Sequence, residues 1–262
     1  AYAEANSVVA NKINIFNQQR DDHAIISTFT SNHDVERMIN HVNNDYSGSG
    51  SSVTETHRPI VSATASDAID KAKAYGAAML LQPGLSFIYY GDELGMSGNI
   101  SPNDGVNSPA DAVGNDWNED RWYRQPMKWV PITDTNQDYV IDFTFSGYTI
   151  DYDDYNRLHL DSVEEQALDE DSMLAYFKAL TSFKNSYKNF FGTGTYGTYQ
   201  GPALPQHAFA YSLTSGSQKL TIIINHGNDF SVSGISGDLV LSLNDDTNPS
   251  NLRRHGVAVY LS

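Results

Sequence analysis

The chain has 262 residues, no cysteine and a formal net charge of −16, with a pI near 4.6. That length suits one large or two ordinary domains, and a hydrophobic fraction of 40% supplies a sizeable core. Disulfides and thiolate metal sites are excluded, and so acidic a surface repels the phosphates of nucleic acid. No run reaches the roughly 18 apolar residues of a membrane span, so no membrane partner is expected. The start, "AYAEANSVVANKINIF", lacks the basic end and apolar core of a signal peptide. Abundant Tyr, Asn, Ser and Gly with sparse Lys point to a secreted or cell-surface bacterial protein.

Residues 3–17 place Ala5, Val9, Ile13 and Phe16 on one helical face. "HAIISTF" follows, and its apolar run predicts a strand over 24–29 buried on both faces, as in a parallel sheet. It ends in a dense polar cluster, Asn32, His33, Asp34, Glu36 and Arg37. Residues 43–66 are rich in Ser, Gly, Asn and Thr and predict a long loop. In "SDAIDKAKAYGAAMLLQPG", Ser66 or Asp67 is placed to cap a helix. Ile69, Ala72, Gly76 and Met79 line one face of it, and Pro83-Gly84 stop it. "LSFIYY" at 85–90 predicts a second buried strand, again ending in polar residues, Asp92 and Glu93. This alternation is that of an α/β fold.

Residues 97–165 form a long acidic stretch carrying Trp117, Trp122, Tyr123 and Trp129. Such a stretch is read as functional. Flat aromatic faces suit sugar rings. Met127 and Trp129 are expected to cover the end of the fold, while Trp117 and Trp122 divide evenly between covering it and binding sugar. "DTNQDYVIDF" begins like a calcium loop at Asp134, Asn136 and Asp138. Tyr139 and Phe145 replace the Gly and Glu such a loop needs, so no metal site is read there. "DEDSMLAYFKALTSFKNSYK" predicts a helix with acids first, lysines last and a core face of Met173, Phe177 and Leu180. From residue 193 on, "HAFAYSLT", "KLTIIINHG", "DLVLSL" and "GVAVYLS" read as short strands of an antiparallel β-sandwich, placing a domain boundary near residue 192.

Functional groups in parallel α/β folds collect where strands end. Asp34 and Glu93 end adjacent predicted strands, and two carboxylates about 5 Å apart are what a retaining glycosidase requires. The competing reading is that Asp34 caps a helix or pairs with Arg37. A second Asn-His, at Asn225-His226, lies inside a predicted strand and is read as packing.

The motifs decide between these readings by resemblance. "FTSNHDVER" resembles the fourth conserved region of the α-amylase family, glycoside hydrolase family 13. "GLSFIYYGDELGM" resembles that family's eighth-strand segment, with Ser86 where Pro is usual. "RWYRQPMKW" is similar to its Arg-x-Pro-Met-x-Trp stretch. The resemblance implies an α/β fold, the C-terminal portion of a (β/α)8 barrel over 1–192 followed by an antiparallel β-sandwich over 193–262. It also implies retaining hydrolysis of α-glucosidic bonds, α-1,4 in starch-like glucans. Asp34 matches the third catalytic carboxylate, and His33 the histidine that binds the same sugar. Asn32, Arg37 and Tyr90 match supporting or subsite positions, and Trp117 and Trp122 join them as candidate sugar contacts. Nothing matches the nucleophile and acid motifs. The chain is therefore expected to be inactive alone and to need an N-terminal half as partner beside its α-glucan substrate. No cofactor is identifiable, and calcium is left open to the intact enzyme. The alternatives are a non-catalytic glucan-binding scaffold and α-glucosidase or oligo-1,6-glucosidase specificity.

Overall fold

The computed structural model describes residues 11, 25–43, 65–98, 123–133, 154–244 and 250–262, together with four short strands between them. Of the helix predicted over 3–17 only residue 11 is described, as helical, and Trp117, Trp122 and the region around Asp134 lie outside the described residues. In chain order the elements are β1 (Ser27–Thr28), α1 (Met38–Asn43), β2 (Asp45–Ser47), β3 (Thr54–Thr56), α2 (Ala65–Leu80) and β4 (Leu85–Ser86). A 3-10 turn follows at Asp92–Leu94. Then come β5 (Phe143–Phe145), β6 (Tyr148–Ile150), α3 (Asp154–Leu158), α4 (Val163–Gln166), α5 (Met173–Ser186) and α6 (Lys188–Gly192). The last part is all strand: β7 (Thr195–Thr198), β8 (Ala208–Ser215), β9 (Gln218–Asn225), β10 (Phe230–Ser231), β11 (Asp238–Leu243), β12 (Asn251–Leu252) and β13 (Val257–Leu261).

The chain divides into two compact units. One comprises Ala1–Thr28, Lys73–Phe87 and Phe177–Ser262; the other comprises Phe29–Ala72 and Ile88–Tyr176.

In the first unit β1 and β4 pair in parallel, Ser27 with Leu85 and Thr28 with Ser86. The Thr28 and Ser86 hydroxyls lie 3.2 Å apart, and Lys184 Nζ donates to Ser86 Oγ at 2.9 Å and to the Gln82 carbonyl at 3.0 Å. Both strands are shorter than predicted, and they are not buried on both faces. Ile25, Leu85 and Phe87 are 55%, 55% and 58% exposed. Their hydrophobicity is that of strands with neighbours on each side, and the described residues offer each strand one neighbour, the other.

The rest of this unit is a five-stranded antiparallel sheet, ordered β11-β13-β9-β8-β7, beside a two-stranded sheet of β10 and β12. The alternation in "FAYSLT" and the Ile-rich "TIIIN" give β8 and β9 apolar residues on both faces. On one face Ala210, Ile223, Ala258 and Tyr260 pack with Val232 and Leu252. On the other, the fully buried Tyr211 donates its hydroxyl to the Leu81 carbonyl at 2.5 Å. Asn225 serves packing, as its position in a strand predicts: its buried amide bonds the carbonyls of Asn228, Leu252 and Arg253.

In the second unit the predicted loop 43–66 contains an antiparallel hairpin, β2 with β3. The predicted loop 97–165 contains another, β5 with β6, as well as α3 and α4. Ser162 and Glu165 close a reciprocal capping box that starts α4. Ser172 Oγ accepts the Ala175 N–H at 3.0 Å and so caps α5. Helix α5 runs from this unit into the first, and its Met173, here, and Phe177 and Leu180, there, are buried as the helical period requires. Helix α2 begins at Ala65, so Ser66 and Asp67 lie in its first turn instead of capping it, and Asp67 pairs with Lys71 at 2.6 Å.

Candidate active site

The site belongs to the second unit and rests on three segments. The first follows β1. Asn32 Oδ1 accepts the Asp34 N–H at 2.8 Å, and Asn32 bridges Val35, closing a tight turn of the kind Asn favours. This turn lifts two polar side chains into solvent, His33 at 61% and Asp34 at 59% exposure. His33 Nε2 lies 3.2 Å from Asp34 Oδ1. On either side of the turn the chain dives inward: Ser31 is 2% exposed and Arg37 is 0%.

The second segment is the turn 89–96. Gly91 has φ 89° and Gly95 φ 77°, left-handed values that a side chain resists. A Cβ on Gly91 would strike Met96 Sδ and stand 2.9 Å from Arg37 Nη1, so the backbone here makes room for the arginine. Arg37 Nη1 donates to the Tyr90 carbonyl at 2.5 Å, and its guanidinium lies 4.8 Å from the centroids of both the Tyr89 and Tyr90 rings. Asp92, 2% exposed, accepts a short hydrogen bond from Ser31 Oγ on Oδ2 and has Oδ1 3.9 Å from Arg37 Nη1. Burial pushes the Asp92 carboxyl up to about 6, against the pull of Ser31, Arg37 and the Met38 amide, and neighbouring Glu93 adds to the rise. Glu93 is likewise raised by burial, and its carboxylate folds back onto the Gly91 N–H at 2.7 Å.

The third segment is 123–130. The Tyr89 hydroxyl donates to the Tyr123 carbonyl at 3.0 Å and the Tyr90 hydroxyl to the Gln125 carbonyl at 2.9 Å. Between these two fixed points stands Arg124. Its Nε donates to the His33 carbonyl at 3.1 Å and its Nη2 to Asp34 Oδ1 at 3.2 Å. Asn156 ties the assembly from beneath, bonding both backbone polar groups of Ser97 at 2.8 Å and Gln125 Oε1 at 3.0 Å. Asn40 Oδ1 accepts the Gly98 N–H at 2.7 Å.

Of the residues singled out in the sequence, the structure brings His33 and Asp34 together at the surface, with Asn32 shaping the turn between the strand and them. Tyr90 is 37% exposed, but its hydroxyl is committed to Gln125. Arg37 is corrected: it is fully buried, and it holds the loop from below instead of facing a sugar. Trp129, expected to cover the end of the fold, is 63% exposed among the described residues. The Asp34–Glu93 pairing finds no support in their partners, because Asp34 bonds Arg124 and Glu93 bonds its own turn. Asp92 stands in the sequence as one of the carboxylates that end the second strand, but its pairing with Ser31 and Arg37 was not legible there, and neither was the contact of Arg124 with Asp34. Arg124 lay within the quoted motif "RWYRQPMKW", but nothing in an isolated arginine shows a carboxylate 90 residues away. Among the described residues no group of three or more His, Asp or Glu is gathered to hold a metal ion.

The turn offers an exposed carboxylate and imidazole beside a glycine-tightened turn of tyrosines, and α/β enzymes build their sites where strands end. Residues 4–192 match the model of the alpha amylase catalytic domain, and the chain belongs to that family. It is 28% identical over 163 residues to alpha-amylase SusG of Bacteroides thetaiotaomicron, covering 60% of this chain and 20% of SusG. Among solved structures, the trehalose-6-phosphate hydrolase of Bacillus licheniformis superposes with a TM-score of 0.66 at 18% identity, over 98% of this chain and 46% of that one. An isomaltulose synthase mutant from Erwinia rhapontici NX5 gives a TM-score of 0.64 at 16% identity, over 96% of this chain and 45% of that one. The chain therefore spans a fifth of the curated relative and a little under half of the solved structures.

Proposed function

We propose that this chain is the C-terminal part of a retaining α-glucoside hydrolase acting on α-1,4 bonds of starch-like glucans. In this reading residues 1–192 complete a (β/α)8 barrel and 193–262 form its β-sandwich. The observation that carries it is the turn at 32–34, which holds an exposed carboxylate and an exposed imidazole together in a chain of the alpha-amylase family. Asp34 would hold substrate hydroxyls and stabilise the positive charge of the oxocarbenium-like transition state, and His33 would bond the same sugar. Arg124 keeps the Asp34 carboxylate oriented through an exposed pair that a sugar hydroxyl can displace. Trp117 and Trp122 are proposed as sugar platforms. Retaining hydrolysis needs a nucleophile and a proton donor, so the partner is a segment carrying both, beside an α-glucan at the cell surface or outside the cell. The exposed Ile25, Leu85 and Phe87 would pack against that segment. The trehalose-6-phosphate hydrolase and the isomaltulose synthase share the fold with this chain and bear no weight on linkage.

The test is expression of residues 1–262 alone and together with a segment supplying the two missing carboxylates, assayed on a chromogenic maltooligosaccharide. The chain alone should be inactive and the assembled protein active. Asp34→Asn should lower kcat of the assembled protein by about 10²–10³-fold, the loss seen when one pre-organised electrostatic group is removed. Near-normal turnover in a folded Asp34→Asn protein would defeat the assignment.

A further inference from the structure

We propose that Asp92 is the positioning residue of this site, a single buried carboxylate that clasps both stems of the loop presenting His33 and Asp34. The loop leaves the interior at Ser31 and returns at Arg37. Asp92 Oδ2 takes the Ser31 hydroxyl at the first stem, with Thr30 Oγ1 at 3.5 Å behind it, and Oδ1, which accepts no hydrogen bond among the described residues, faces the charge of Arg37 Nη1 at 3.9 Å at the second. Within the described residues Arg37 Nε and Nη2 meet no hydrogen-bond acceptor, and the groups that face the guanidinium's charge are the Asp92 carboxylate, neighbouring Glu93 and the two tyrosine rings. A neutral group would serve Ser31 equally well; the Arg37 stem is what needs the negative charge. The clasp also reaches Asp34 from its other side. Arg37 fixes the Tyr89 and Tyr90 rings, their hydroxyls fix the Tyr123 and Gln125 carbonyls, and Arg124 between these holds Asp34.

The catalytic meaning of this clasp rests on the role proposed for Asp34, whereas the ordering of the loop does not. Both are measured. Backbone order parameters of Asn32–Glu36 are recorded at pH 8 with only the 262-residue chain isotopically labelled, alone or assembled. The groups facing Asp92 are Ser31, Thr30, Arg37, the Met38 amide and Glu93. Whatever His33, Asp34 and Arg124 add at the loop's tip is common to wild type and variants. In the wild type the loop amides should be rigid, at about 0.85, and in Asp92→Asn they should fall toward about 0.6. Ser31→Ala, which loosens one stem and leaves the charged pair, should give an intermediate loop, and a wild-type loop in folded Ser31→Ala decides against the proposal should Asp92→Asn fail to fold. In the assembled protein Asp92→Asn should lower kcat about tenfold or more with KM within about threefold, the signature of lost transition-state alignment. A mobile loop in the wild type, or a wild-type loop in folded Asp92→Asn, overturns the proposal. No turnover in the assembled wild type would sink the hydrolase reading while the loop measurement still decides the clasp.

Discussion

Replacing Asp92 with Asn should change how stability depends on pH, in a direction opposite to that of an ordinary salt-bridged carboxylate. The Asp92 carboxyl is raised from its ordinary 3.8 to about 6, and burial outweighs the attraction of Arg37. A raised carboxyl favours the protonated folded state. Its stabilising contribution is full below 3.8 and is lost as pH climbs through about 6. The gap between 3.8 and about 6, at ~1.36 kcal/mol per pH unit, is worth ~3 kcal/mol. At 2% exposure no solvent screening reduces that figure. Urea unfolding of wild type and Asp92→Asn, measured side by side across that range, isolates the effect because the carboxylates other than the neighbouring Glu93 contribute alike to both. The wild type's advantage over the variant should shrink by ~3 kcal/mol from the acid to the neutral end. A flat difference, or one that grows with pH, would refute the reasoning, since growth would mean that Arg37 stabilises the charge by more than burial penalises it.

Two further outcomes follow from neighbouring geometry. Gly91→Ala should destabilise the protein by at least about 2 kcal/mol in the same assay, because φ 89° is strained for alanine and its Cβ would displace Met96 and press on Arg37. His226 sits near His207 and His255 in the strand-rich part of the chain, and burial first, then those two histidines, press it from 6.5 down to about 4. A depressed histidine stabilises fully above 6.5 and loses that contribution as pH falls through about 4, so wild type should lose ~2 kcal/mol relative to His226→Gln over that range, after allowance for partial exposure.

What the sequence made legible was contiguous. The polar run 32–37, the helical period of α2 and α5 and the apolar pattern of β8, β9, β11 and β13 each lie within one stretch of chain, where local spacing carries the signal. What stayed hidden depends on pairing across the fold. Asp92 meets Ser31 across 61 residues and Arg124 meets Asp34 across 90. No periodicity announces such partners. The hairpins at 45–56 and 143–150 were hidden for another reason: strands of three residues are too short to show alternation. The prediction that β1 and β4 are buried erred because composition reports the environment a strand is suited to, whereas exposure reports the neighbours present.

The polar run after β1 is tolerated because its groups are divided between two depths. Below, Arg37 and Asp92 are 0% and 2% exposed, and breaking such a buried pair by removing one partner typically costs about 3–5 kcal/mol. Hydrophobic residues of similar volume would stabilise the fold equally well, so stability alone does not account for the pair; the shape of the loop above it does. At the surface, the Asp34–Arg124 pair is 59% and 43% exposed, and pairs of that kind contribute about 0–1 kcal/mol. In the role proposed for Asp34, an incoming hydroxyl would take it from Arg124 at little cost and would not reach the clasp beneath. The interactions that set the geometry are thus the ones a ligand cannot displace, and the ones it can displace are too weak to hold the carboxylate against it.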